Sequence, residues 1–213
     1  MSSQQDGNAD TDILPLKWKP GTDHMSKLLL NDPNVINLIV RSLVGEIAPE
    51  NSYTVAQTEW TDTKGKFTVY IPQNAEDDRF IPVLIAIQEE VNQASMLKII
   101  EYCTRIYEEF RLLPTVLIIS IKGWSSLEVR EVFSADGDSF LRQLKCSFWA
   151  QKCFLFFPDS VNTTDATNVS VPAFIKLCQF MSDPDKTLCF SYDFETRTIC
   201  LACEVTIGKD RLQ

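Results

Sequence analysis

Histidine is nearly missing from this chain, which holds one, His24, among 213 residues. A lone histidine in a polar N-terminal arm supports neither a Ser-His-Asp nor a Cys-His nucleophile arrangement. A basic excess is missing too: 20 Lys and Arg stand against 29 Asp and Glu, a net charge of −9. That balance disfavours non-specific nucleic-acid binding, which needs cations to neutralise phosphates, although a local basic patch stays open. There is no glycine-rich phosphate loop. The longest apolar runs are strand-sized, far short of the roughly 20 residues a membrane helix requires, so no membrane is expected as a partner. The first residues, MSSQQDGNADTD, lack the apolar stretch of a secretory signal and the basic character of a transit peptide. An intracellular place, nuclear or cytoplasmic, is the expectation.

Cysteine is plentiful by contrast, with seven at 103, 146, 153, 178, 189, 200 and 203. The number is odd and most sit in apolar runs, which fits buried reduced thiols. Cys200-Leu-Ala-Cys203 has the spacing of a zinc or redox pair, but no second pair accompanies it and TICLACEVTI reads as a strand. The sequons at Asn162 and Asn168 carry little weight without a secretory signal.

Residues 1–26 read as a flexible polar arm. Asp32-Pro33 then has the form of a helix start, with Asp as N-cap and Pro in the first turn. Apolar residues at 35, 36, 39, 40, 43 and 44 continue a helical stripe. FTVYIP (67–72) and PVLIAIQ (82–88) suggest two strands of a hairpin or meander. ASMLKIIEYCTRIYEEFR (94–111) is an amphipathic helix with Met96, Ile99, Ile100, Cys103, Ile106, Tyr107 and Phe110 on one face. PTVLIISIK, from Pro114, echoes PVLIAIQ. Strand, helix and second apolar strand predict a βαβ unit with two buried parallel neighbours. Leu127–Phe133 and Phe140–Leu144 read as helical or irregular, KCFLFF (152–157) as a strand and PAFIKLCQFMS (172–182) as a helix. TLCFSYD and TICLACEVTI read as a terminal hairpin. The fold class is therefore α/β, with an arm at 1–26, an α/β core over 27–160, and a loop, helix and hairpin over 161–213 packed on that core.

The candidate site lies where β-strand 82–88 ends. Leu84, Ala86 and Gln88 share one face of that strand. A polar residue at the C-terminal end of a buried parallel strand stands where α/β proteins place ligands. The plain alternative is that Gln88 ends the strand by bonding to loop backbone.

The arrangement of a helix, two strands, a third strand ending in xIxQ, a helix and a parallel strand resembles the PD-(D/E)XK nuclease superfamily. VLIAIQEEVNQASMLKIIEYCTRIYEEFRLLPTVLIISI is similar to the core of its transposase-associated, fungal branch with an E-x-Q motif, and TEWTD (58–62) and SFWAQKC (147–153) resemble further segments. The resemblance covers residues 28–158 and implies a restriction-endonuclease-like core. It also implies a phosphodiester hydrolase in which an Asp on the core hairpin and the Glu of E-x-Q hold Mg²⁺. The Gln would orient the attacking water. Mg²⁺ asks for hard oxygen ligands and stabilises the developing charge.

The chain departs from that pattern at its centre. The Glu position is Ala86, and the strand KGKFTVYIP offers no Asp. Substitute carboxylates nearby are Glu59, Asp62, Glu89 and Glu90, with Glu46 a further candidate on the first helix. Glu90 would share the face of Gln88 if the strand ran that far, yet about 13 Å from position 86 at 3.3 Å per residue.

Three function classes follow. One is a catalytically degenerate nuclease-like domain of mobile-element descent, serving interaction or docking, with no cofactor and Gln88 vestigial. The second is an active Mg²⁺ endonuclease with migrated ligands. The third is an acidic α/β module binding a protein through Trp60, Trp124 or Trp149, residues that more often staple a core. A DNA stripe assembled from Lys64, Lys66, Lys98, Arg105, Lys122, Arg130, Lys145 and Lys152 is thin enough to be ordinary surface charge.

Overall fold

The computed structural model describes residues 24–45, 48–56, 66–74, 81–132, 140–158 and 171–182. Two helices, α1 (His24–Leu30) and α2 (Pro33–Val44), come first. They are separated by the cap the sequence announces: Asp32 Oδ1 accepts from the Asn34 N–H at 2.9 Å. A helix start leaves backbone N–H groups without partners, and a short acceptor side chain supplies one. Gly45 ends α2 at φ +115°, a region costly for a residue with a Cβ. α1 starts within the stretch read as an arm, and its Ser26 is buried.

Strands β1 (Tyr53–Val55), β2 (Phe67–Pro72) and β3 (Val83–Gln88) form an antiparallel meander. Helix α3 (Gln93–Phe110) then crosses to β4 (Thr115–Ser120), which runs parallel to β3. α3 opens on a reciprocal cap: the Ser95 N–H donates to Asn92 Oδ1, and the Asn92 N–H donates to Ser95 Oγ, both at 2.9 Å. The helix ends at Arg111 in the left-handed region, its N–H donating to the Tyr107 carbonyl.

Beyond β4 come α4 (Leu127–Val132), β5 (Arg142–Leu144), β6 (Lys152–Phe156) and α5 (Ala173–Ser182). The described strands make one six-stranded mixed sheet in the order β1-β2-β3-β4-β6-β5. β6 is parallel to β4, and β5 closes the edge antiparallel to β6. The chain is thus an α/β protein with helices on both faces of the sheet, and the βαβ unit over 82–120 stands as the sequence suggests. Phe140–Leu144, expected as helical or irregular, instead contributes β5. Three residues, RQL, show no alternation of their own and become a strand by pairing with Cys153–Leu155.

Alternation along each strand divides the core. Val83, Ile85, Ile87, Leu117, Ile119 and Phe156 face α1, α2 and α5. Leu84, Ala86, Val116, Ile118, Cys153 and Leu155 face α3 through Met96, Ile99, Cys103 and Ile106. Because β3 and β4 are covered on both sides, they read as unbroken apolar runs. Tyr70 ties the first layer together, its buried hydroxyl donating to the Leu30 carbonyl at 2.9 Å. No helix among the described residues is long and apolar enough to cross a membrane. The terminal hairpin expected from TLCFSYD and TICLACEVTI lies outside the described residues.

Candidate functional site at the end of the parallel strands

A rung of paired residues crosses the sheet at Ala86. Phe67 stands opposite Ala86 on β2, Ile118 on β4, Leu155 beyond it on β6 and Arg142 on β5. Ala86 is fully buried. The Ile87 N–H donates to the Lys66 carbonyl, so in an antiparallel ladder Phe67 and Ala86 form the next, non-hydrogen-bonded pair, whose side chains approach most closely. The Phe67 ring lies on Tyr102 of α3, with centroids 4.2 Å apart and planes 14° from parallel. Lys98 and Arg105 flank the same Tyr102 ring at 5.6 and 5.8 Å. The position that the resemblance assigns to a metal-binding Glu therefore sits beneath a stacked aromatic pair.

Gln88, one pleat further on the same face, is half-buried. Its carbonyl accepts from the Ile121 N–H at 3.0 Å, while its side-chain Nε2 is buried with no hydrogen-bond partner among the described residues. The expectation that Gln88 caps the strand by bonding to loop backbone thus holds for its main chain alone. The parallel strands do not run straight on. β3 stops at Gln88, residues 89 and 90 bend, and pairing resumes where the Val91 N–H reaches the Gly123 carbonyl at 2.9 Å. Ser120 pins that turn, its Oγ donating to the Gly123 carbonyl at 2.8 Å and accepting from the Gly123 N–H at 3.0 Å.

The bend separates the neighbouring carboxylates from position 86. Glu89 is exposed and ion-paired with Lys122, whose pKa is raised, chiefly by that hydrogen bond. Glu90 Oε1 accepts from Asn92 Nδ2 at 3.4 Å. Because the strand ends at Gln88, alternation does not carry Glu90 onto the face of Gln88. Glu46, Glu59 and Asp62 lie outside the described residues, as does Trp60. Among the described residues no three His, Cys, Asp or Glu side chains gather as a metal-holding group. A methyl group, a phenyl ring and one amide do not fit Mg²⁺, which takes carboxylate and water oxygens in a near-octahedral shell.

Further along the rim, Phe157 and Arg142 escaped the sequence reading, whereas Trp124 did not. Phe157, just past β6, is buried, and Trp124 sits 6.4 Å from it, tilted by 57°. The Arg142 guanidinium lies over the Phe157 ring, 4.8 Å from its centroid. Trp124 and Trp149 both pack against the α3-side core, as staples do. Of the cations considered for a DNA stripe, Lys98 and Arg105 both pair with Glu101, and Lys122 pairs with Glu89.

The four described cysteines are free and buried. Burial pushes the Cys103 thiol up to about 12, with a further push from Cys146. Cys146 and Cys153 are raised as well, by desolvation first. Such thiols are poor nucleophiles and poor metal ligands.

Comparison of the chain with protein-family models, with curated proteins and with solved structures gives no match.

Proposed function

We propose that this chain is a catalytically degenerate PD-(D/E)XK nuclease-like domain, derived from a mobile element, that acts as a docking module without a metal. The observation that carries the reading is the pair at the centre of the sheet. Ala86 occupies the position of the expected Glu, and its cross-strand partner is Phe67, stacked on Tyr102, in a strand where an Asp is expected. Two departures on facing strands remove both carboxylates of a shared metal at once, and aromatic packing fills the space. The order of elements agrees with a restriction-endonuclease-like core: helix, three-strand meander, crossover helix, parallel strand. Gln88 agrees as well, as a polar side chain left at the end of β3 with a buried donor that lacks a partner among the described residues.

The test is calorimetric titration of the full chain with Mg²⁺ and Mn²⁺, followed by a plasmid-nicking assay with each metal. The expected result is no specific heat and no nicking. Nicking that disappears with Gln88→Ala or Glu59→Ala would overturn the reading in favour of an active endonuclease with migrated ligands.

A further inference from the structure

The turn between β5 and β6 carries a phenylalanine turned out of the fold. The Trp149 and Ala150 N–H groups both donate to the Cys146 carbonyl at 3.0 Å, and Cys146, Trp149 and Ala150 pack into the α3-side core. Phe148, within that anchored turn, is 97% exposed, with exposed Lys145 and Lys152 on either side. Burying a phenylalanine is worth about 1.5–3 kcal/mol, so a wholly exposed ring on an anchored turn invites a cover.

Helix α3 ends beside this turn. The Gln151 N–H donates to the Pro114 carbonyl at 2.9 Å, which ties the far end of the turn to the connection leaving α3. One flank of α3 lies toward β2, where Tyr102 stacks on Phe67, so the opposite flank lies toward β6 and the turn. Leu97, Ile100, Thr104 and Tyr107 follow one another along that flank by three and four residues, as neighbours on a helix surface do. Leu97 is 60% exposed and Tyr107 44%. Ile100 is half-buried, and the exposed Thr104 spends its hydroxyl on the Ile100 carbonyl at 3.0 Å. Beside the stripe that α3 buries, a second apolar stripe thus stays open. Glu108 and Glu109, both exposed, close the helix in a last turn that holds no cation, at the negative end of the helix dipole, with Arg111 following at the cap.

We propose that this face joins two copies of the chain about a two-fold axis, the Phe148 turn of each seated on the stripe from Leu97 to Tyr107 of the other. Charge complementarity selects a second copy as the occupant. Lysines flank the aromatic turn and glutamates close the apolar stripe, so each half of the face complements the other half, and a two-fold pairing makes that match twice. At 97% exposure Phe148 does not cover the stripe of its own chain. A nucleic-acid strand is the weaker candidate, because Glu108 and Glu109 at the end of the stripe repel phosphates. The inference rests on this face alone and requires no nuclease ancestry.

The test is sedimentation velocity of the full chain in reductant, from micromolar to millimolar concentration. The parent should form a dimer as concentration rises, and added salt should weaken it by screening the lysine–glutamate pairs. Phe148→Ser changes a side chain outside the core and should weaken the dimer roughly tenfold or more. The charge reversals Lys145→Glu with Lys152→Glu, and separately Glu108→Lys, should each give a monomer. Mixed in equal amounts, those two variants should associate, because the turn of each then meets opposite charge on the helix of the other. A parent that stays monomeric throughout would overturn the proposal. So would a dimer indifferent to Phe148→Ser, or reversed variants that stay apart on mixing. A single-stranded oligonucleotide bound by a monomer and lost with Phe148→Ser would also overturn it, assigning the turn to nucleic acid instead.

Discussion

Phe67 and Ala86 face each other as direct partners across β2 and β3, and the Phe67 ring closes over that position by stacking on Tyr102. The consequence is that a carboxyl returned to position 86 alone enters a fully buried apolar layer, between Phe67 and Ile118 on the neighbouring strands. Ala86→Glu should therefore destabilise the protein by about 3–5 kcal/mol at neutral pH, the scale of an uncompensated buried charge. Burial holds the pKa of the introduced carboxyl above its unfolded value of about 4.3. The electrostatic part of the loss should accordingly be smallest below about pH 4 and grow as pH rises. Urea denaturation across pH 4–8 measures this, and a flat difference between variant and parent would mean that the position opens to solvent.

Changing both partners gives the opposite expectation. Facing residues in a non-hydrogen-bonded pair bring their Cβ atoms about 4.5–5.5 Å apart, close enough for two carboxylates to share one ion. The double variant Phe67→Asp, Ala86→Glu should melt well below the parent in chelator and recover part of the loss with Mg²⁺ or Mn²⁺. At a metal concentration one hundred times Kd the recovery is about 2.7 kcal/mol. Scanning calorimetry with and without metal reads it directly. Equal melting in metal and chelator would count against a nuclease-like geometry at this rung.

The parts of this architecture that are written locally were legible before any coordinates. Asp32-Pro33 announces α2, because capping depends on adjacent residues. PVLIAIQ and PTVLIISIK announce two strands covered on both faces. β1 and β5 were not legible, since YTV and RQL are each three residues long, too short to establish a period, and are fixed as strands by their partners. The site divides the same way. Gln88 stands out as the polar end of an apolar run, and Ala86 follows from alternation. That Phe67 covers Ala86 depends on the β2–β3 register, and that Arg142 shares their rung depends on three further pairings.

The thiols on the α3 side of the sheet predict an alkaline limit to stability. Cys103 titrates near 12 when folded, against about 8.5 for an exposed thiol. Between those values the unfolded chain gives up a proton that the folded chain keeps, so unfolding is favoured as pH rises. Stability should be insensitive to this group below about pH 8 and should then fall by up to about 1.4 kcal/mol per pH unit on account of Cys103. Cys103→Ala should remove that slope at the cost of a small cavity. Denaturation midpoints at pH 7–10.5, measured in reductant, provide the comparison, and parallel curves for parent and variant would show that the thiol ionises freely in the fold.

Gln88 tests the rim from the other direction. Its Nε2 is buried with no partner among the described residues, and a buried donor without an acceptor carries a desolvation penalty of about 1–3 kcal/mol. Replacing it with a side chain of similar volume and no polar atom relieves that penalty. Gln88→Leu should therefore stabilise the free protein by about 1 kcal/mol, a rise in melting temperature of roughly 2–4 °C for a chain of this size. Active sites commonly hold polar groups that cost stability, so a stabilising result fits a side chain kept for contact with something other than its own fold. A loss of 1 kcal/mol or more on the same substitution would mean that the amide is satisfied within the chain and ends β3 as a structural residue.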